Sequence, residues 1–130
     1  MGDSSNPTER TAFAVSRRQL EDGPVIVAVE GELDLASAPQ LKRALADVVA
    51  AGAGQIVLDM ALVGFIDSTA LGVLVGIQRS LGDGARLAIA RSGANVLNVF
   101  ELTGLDSTFD MFATVEEALR WVRGSKAATG

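Results

Sequence analysis

The run Gln55-Ile56-Val57-Leu58-Asp59 constrains this chain more than any other segment. It is a strand with almost no polar side chain, and such strands sit in sheets covered on both faces. A sheet of that kind needs helices packed on it, which points to an α/β architecture. The segments on either side supply both the helices and the further strands.

Phe13-Ala14-Val15-Ser16 alternates as a strand does, Glu21-Asp22-Gly23-Pro24 turns the chain, and Val25-Ile26-Val27-Ala28-Val29 is a second short strand. Gly31-Glu32-Leu33-Asp34-Leu35 reads as a loop. Ser37 with Gln40 has the spacing of a capping box, and Pro39 falls in the first turn, where its missing N–H costs nothing. Leu41, Leu45, Val48 and Val49 share one face of the helix that follows, and Gly52 ends it. After Asp59 the pattern predicts a loop to Asp67, then a second helix over about residues 68–81, closed by Gly82-Asp83-Gly84. Arg86-Leu87-Ala88-Ile89-Ala90 is another strand. Ser92 is placed to cap a third helix carrying Val96, Leu97, Val99, Phe100 and Leu102, which stops at Gly104. Residues 107–111 read as a short strand, and Thr114 with Glu117 makes a capping box for a last helix holding Leu119 and Val122. Short strand-helix-strand connections give parallel pairs, and the opening hairpin adds an antiparallel one. The expectation is a single-domain α/β sandwich over residues 11–123, with a mixed sheet of four or five strands and about four helices. Flexible tails are expected at 1–10 and 124–130.

Composition then narrows the chemistry. The chain has 130 residues, 48% of them hydrophobic, enough for one packed core without staples. It has no cysteine and no histidine, which removes disulfides, the usual zinc ligands and the His-dependent nucleophile dyads and triads. The net charge of −5 argues against a nucleic-acid partner and against an anionic membrane surface. No signal peptide is evident in the polar start, and the longest apolar stretch, residues 61–77, is broken by Asp67-Ser68. A cytoplasmic, non-enzymatic protein without cofactor or structural metal is expected.

The segment 59–72 places Asp67-Ser68-Thr69 at the start of a helix, just beyond the carboxyl end of a buried strand. Asp, Ser and Thr are the preferred helix caps, which is one sufficient reason for their presence. One cap needs one such residue, so a run of three leaves a hydroxyl spare. A phosphate added there meets free N–H groups and the positive end of the helix dipole. Gly72 and Gly76, one turn apart, suggest close packing of this helix on the sheet, with part of its apolar face left as a docking surface.

Asp67-Ser68-Thr69-Ala70-Leu71-Gly72 resembles the Asp-Ser-Ser/Thr-Gly-Leu-Gly signature of STAS domains. Gly31-Glu32-Leu33-Asp34 ahead of a Ser-capped helix, and Phe100-Glu101-Leu102-Thr103-Gly104-Leu105, resemble two further features of that family in the family's order. The resemblance spans roughly residues 13–123 and implies an anti-sigma factor antagonist. Its implied partner is an anti-sigma factor with serine kinase activity, which phosphorylates the first hydroxyl after the Asp, here Ser68. A phosphatase reverses the reaction. The implied partner-binding residues are Gly31, Glu32, Asp34, Asp67, Ser68, Thr69, Ala70 and Leu71. Ala70 departs from the family's usual glycine and, as a better helix former, stiffens the helix start.

Three other readings compete. Ile56-Val57-Leu58-Asp59 resembles the strand of a receiver domain, but Arg17-Arg18 stands where the magnesium-binding acidic pair belongs, and no lysine follows a late strand. Asp59 is then a strand-end carboxylate, solvated or capping the loop. A nucleotide-binding enzyme lacks its motifs here, with neither a P-loop nor G-x-G-x-x-G, and Glu30, Glu32 and Asp34 fit a solvated loop better than a metal site. STAS domains also serve as subunits of lipid transporters and as scaffolds of stress-signalling assemblies, without the serine switch.

Overall fold

The computed structural model describes residues 12–124, so the two expected tails lie outside the described residues save for Gly124. In chain order the elements are β1 (Ala14–Gln19), β2 (Val25–Leu33), α1 (Ala38–Ala50), β3 (Gln55–Ile66), α2 (Ser68–Ser80), β4 (Arg86–Ala90), α3 (Ala94–Leu102), a 3₁₀ turn (Leu105–Ser107), β5 (Asp110–Phe112) and α4 (Val115–Val122). The five strands form one sheet in sequence order. β1 is antiparallel to β2, and every other neighbouring pair is parallel. The mixed sheet and the helix count agree with the sequence reading.

Two apolar layers hold the sheet. Val25, Val27, Val29, Ile56, Leu58, Met60, Leu87 and Ile89 point to the side covered by α1, α2 and α3, where Leu41, Leu45, Leu74 and Phe100 bury themselves. Ile26, Val57, Ala88 and Ala90 point to the other side and pack on Ala118 and Val122 of α4. Both faces of β3 are therefore apolar over residues 56–58, as its sequence requires. Phe100 is fully buried and meets Phe109 edge to face at 5.7 Å.

The strands run further than expected. β2 takes in Gly31, Glu32 and Leu33, and β3 continues through the expected loop as far as Ile66. Gly31 adopts φ +105°, a left-handed value that glycine tolerates and other residues resist. Two register shifts interrupt the β2–β3 ladder, each with one more residue in β3 than in β2. They are β-bulges. They break the period of two, so the β3 residues facing α1, α2 and α3 follow the sequence 56, 58, 60, 63, 66. An irregular period looks like loop in a sequence, which is why this half-strand was not expected.

Several caps differ as well. Ser37 sits at the α1 N-cap, but its hydroxyl donates to Glu32 O at 2.7 Å and accepts from Asp34 N at 3.0 Å, so it makes no capping box. Gly93, not Ser92, is the N-cap of α3, and the Ser92 hydroxyl is buried without a hydrogen-bond partner among the described residues. The Thr114 cap holds, accepting from Glu117 N at 3.0 Å. The late strand begins at Asp110 because residues 105–107 coil into the 3₁₀ turn. Gly72 and Gly76 do not mark a close approach, since a Cβ on either would meet nothing within 4 Å.

The core ledger implies a clear contrast. Phe100→Ala removes a fully buried ring and should destabilise the fold by about 3–5 kcal/mol. Leu102→Ala, 78% exposed two residues further on, should change stability by about 0.5 kcal/mol or less. Urea unfolding of the two variants checks the assignment of the inner face of α3.

Candidate functional site

The carboxyl ends of β2 and β3 meet at Asp67, the N-cap of α2. Its Oδ1 accepts from Ala70 N at 3.1 Å, which caps the helix. Its Oδ2 accepts from Leu35 N at 3.1 Å, in the turn after β2. Its own N–H donates to Leu33 O at 2.9 Å. One residue thus ties the start of α2 to the end of β2. The neighbouring turn is pinned in the same way: Asp34 Oδ1 accepts from Ala36 N at 3.0 Å and from Ser37 N at 3.1 Å. Asp34 is buried, held among backbone donors.

With Asp67 as the cap, Ser68 and Thr69 are released from capping. Both are exposed in the first turn of α2, and neither hydroxyl has a hydrogen-bond partner among the described residues. The first N–H groups of the helix have no intrahelical acceptor, so the hydroxyls stand in a locally positive field. No acidic side chain of α2 itself follows in that turn. The sequence expectation placed Ser68 here, and the structure brings Glu32, Asp34, Asp67, Ser68 and Thr69 to the same end of the sheet.

Three of the expected site residues lie beneath the surface. Ala70 is fully buried and Leu71 nearly so, because both turn under α2 into the core. They support the site and do not line it, and Gly31 is likewise buried within β2. The exposed apolar residues lie instead at Leu35, Leu62 and Phe65, which are 72%, 66% and 47% exposed. Leu35, Phe65, Asp34, Ala36 and Asp67 line a shallow recess beside Ser68. The sequence reading did not single out these three as exposed. The available signal was the pair of doublets Ala61-Leu62 and Gly64-Phe65, which break strand alternation.

Of the two roles expected for Asp59, solvated or capping the chain that follows, the structure shows the second. It is buried at the end of the β3–β4 ladder, and Arg91 donates to it twice, at 3.0 and 2.7 Å. Its Oδ1 accepts from Ala61 N as well, at the first bulge. The hydrogen bonds to Asp59, and then its charge, raise the Arg91 guanidinium above its ordinary value. Among the described residues no group of three His, Cys, Asp or Glu converges on a point a metal would occupy, and no helix is long and apolar enough to cross a membrane. A larger recess of about 860 Å³ opens at the opposite ends of the strands, lined in part by Gly23, Gly52, Gly54 and Gly84.

Fold and site together define a small α/β domain that presents two hydroxyls at a carboxylate-capped helix start. The chain belongs to the STAS domain family, whose model matches residues 17–118. It is similar to the anti-sigma-F factor antagonist RsfB of Mycobacterium tuberculosis, 31% identical over 81% of this chain and 86% of that protein. An anti-sigma factor antagonist from Mycobacterium paratuberculosis has a similar crystal structure, with a TM-score of 0.81 and 31% identity over 86% of this chain and 95% of the other. The Bacillus cell fate determinant SpoIIAA in its phosphorylated form is also similar, with a TM-score of 0.65 and 27% identity over 85% of this chain and 100% of the other.

The staple at Asp67 can be tested directly. Asp67→Ala removes a helix cap and the acceptor for Leu35 N, and should cost about 1–2 kcal/mol. Ser68→Ala removes an unpartnered hydroxyl and should change stability by about 0.5 kcal/mol or less. Chemical denaturation of the two variants beside the wild type measures both.

Proposed function

We propose that this chain is an anti-sigma factor antagonist, a regulatory protein without catalytic turnover. Unphosphorylated, it binds an anti-sigma factor that is also a serine kinase, and so releases a sigma factor. Phosphorylation of Ser68 by that kinase ends the binding, and a phosphatase restores it. The observation that carries this reading is the exposed Ser68 hydroxyl in the first turn of α2, freed by the Asp67 cap and without a hydrogen-bond partner among the described residues. The family membership and the names of the similar proteins support it.

The energetics favour a switch that acts on the complex and not on the fold. A phosphate adds about −1.5 to −2 charges at neutral pH. The helix terminus favours that charge by about 0.3–1 kcal/mol, and the Asp67 carboxylate next door opposes it. These small opposed terms leave the fold intact. In a complex the same phosphate must be desolvated against a surface shaped for a hydroxyl, and an unpaired buried charge costs several kcal/mol. Each 1.4 kcal/mol is about tenfold in affinity.

Ser68→Asp should therefore bind the anti-sigma factor kinase of the same organism about a hundredfold or more weakly, and melt close to the wild type. Ser68→Ala should bind and accept no phosphate. Mass spectrometry after incubation with that kinase and ATP locates the modification. Phosphate on Thr69 alone overturns the choice of acceptor, and wild-type binding by Ser68→Asp overturns the switch.

A further inference from the structure

We infer that Asp83-Gly84, in the turn between α2 and β4, is a site of slow spontaneous modification, where the aspartate isomerises to isoaspartate through a cyclic imide. The site is independent of Ser68, which stands at the other end of the strands. The reaction uses only the chain itself and water.

The Gly84 nitrogen attacks Cγ of the protonated Asp83 carboxyl. An N–Cγ bond forms, the Cγ–OH bond breaks, and one water leaves with the amide proton. Water then reopens the five-membered imide at either carbonyl. Opening at Cγ restores aspartate. Opening at the main-chain carbonyl leaves the chain running through Cβ and Cγ, one backbone atom longer and with its charge kept. The reaction is favoured where the carboxyl has no partner, the following amide is free, and the residue after the aspartate has no Cβ to shield its nitrogen.

Asp-Gly occurs twice in the sequence, at 22–23 and at 83–84, and Asn-Gly does not occur. The structure separates the two pairs. At the first pair both reacting groups are held. Arg123 donates to the Asp22 carboxylate at 2.7 and 3.2 Å, and the Gly23 N–H donates to Leu20 O at 3.1 Å. The Arg123 hydrogen bond also holds the Asp22 carboxyl below its ordinary range, which lowers the share of the protonated form that reacts. A Cβ on Gly23 would lie 3.2 Å from Gln55 Oε1, so the backbone there has little room. At the second pair neither group is held. Asp83 and Gly84 are exposed, and among the described residues neither the Asp83 carboxylate nor the Gly84 N–H has a hydrogen-bond partner. One bond closes the turn around them, from the Ala85 N–H to Gly82 O at 3.1 Å. A Cβ on Gly82 or Gly84 would meet nothing within 4 Å, so the imide has space to form.

The test incubates folded wild type, Arg123→Gln and Asp83→Glu in warm neutral buffer for weeks, followed by tryptic digestion. An isoaspartyl peptide keeps the mass of its parent, separates from it by chromatography and resists the protease that cuts before aspartate. Arg18 and Lys42 bound the tryptic peptide that contains Asp22, and Arg79 and Arg86 bound the one that contains Asp83. In wild type the isomer should form about tenfold faster at Asp83 than at Asp22, because the Asp22 pair must first release its hydrogen bonds. Arg123→Gln should speed the reaction at Asp22 by about two- to fivefold, the scale of an exposed ion pair, and leave Asp83 within about twofold. Asp83→Glu should remove the isomer from residues 80–86, because the longer side chain does not close a five-membered ring. Equal rates at the two pairs, or an isomer at Asp22 alone, overturn the inference. So does a folded chain that stays unmodified at Asp83 while the chain unfolded in urea isomerises there. A separated peak that persists in Asp83→Glu places the modification elsewhere and also overturns it. An unchanged rate at Asp22 in Arg123→Gln overturns the protection by the ion pair.

Discussion

Three backbone segments are tied together by Asp67. One oxygen closes the first turn of α2, the other holds the turn after β2, and the N–H of the same residue reaches the last carbonyl of β2. The distance between the two loops at the carboxyl end of the sheet is therefore set by one residue. This constraint explains why Ser68 is available. A helix start whose cap is provided by the preceding residue leaves the next hydroxyl with no structural duty. It also places a carboxylate beside that hydroxyl, so the site lies between the positive end of the helix and a negative group.

The regular parts of the fold were legible in the sequence because their periods are regular. Ile56-Val57-Leu58 announced a strand buried on both faces, and Leu41, Leu45 and Val48 announced a helix with one inner face. The second half of β3 was not legible, because two bulges convert its period of two into steps of three. Ser37 and Ser92 show a second limit. Each stands where a cap is favoured locally, yet the Ser37 hydroxyl answers to Glu32 O and Asp34 N, and Gly93 displaces Ser92 by one position. Cap propensity is a local signal, and it fixed the partner of neither hydroxyl. Ser68 was legible for the opposite reason. Its place follows from Asp67 and the helix alone, with no distant partner. Ala70 and Leu71 share the same motif, and only packing reveals that they face inward.

The polar residues at this end of the sheet stiffen what the bulges would loosen. Arg91 adopts φ +62°, an unfavourable region for a residue with a Cβ. Its N–H donates to Phe112 O at 3.0 Å, and its guanidinium makes the paired contact with Asp59. The strained residue is thus over-determined from both sides. Asp59 in turn takes the Ala61 N–H that the first bulge leaves without a ladder partner. Asp34 and Ser37 perform the same service for the turn after β2. A surface built this way is preorganised, and a partner loses little ordering entropy in meeting it.

The outer edge of the sheet has a consequence of its own. β1 is exposed along its whole length, and its free edge offers unpaired amides to any other strand that approaches. Arg17 and Arg18 sit side by side in that strand. Docking two such edges would crowd four guanidinium groups into one seam, and the repulsion would oppose the templated growth that leads to fibres. The hairpin therefore carries its own safeguard against aggregation, written in charge at the margin of the fold.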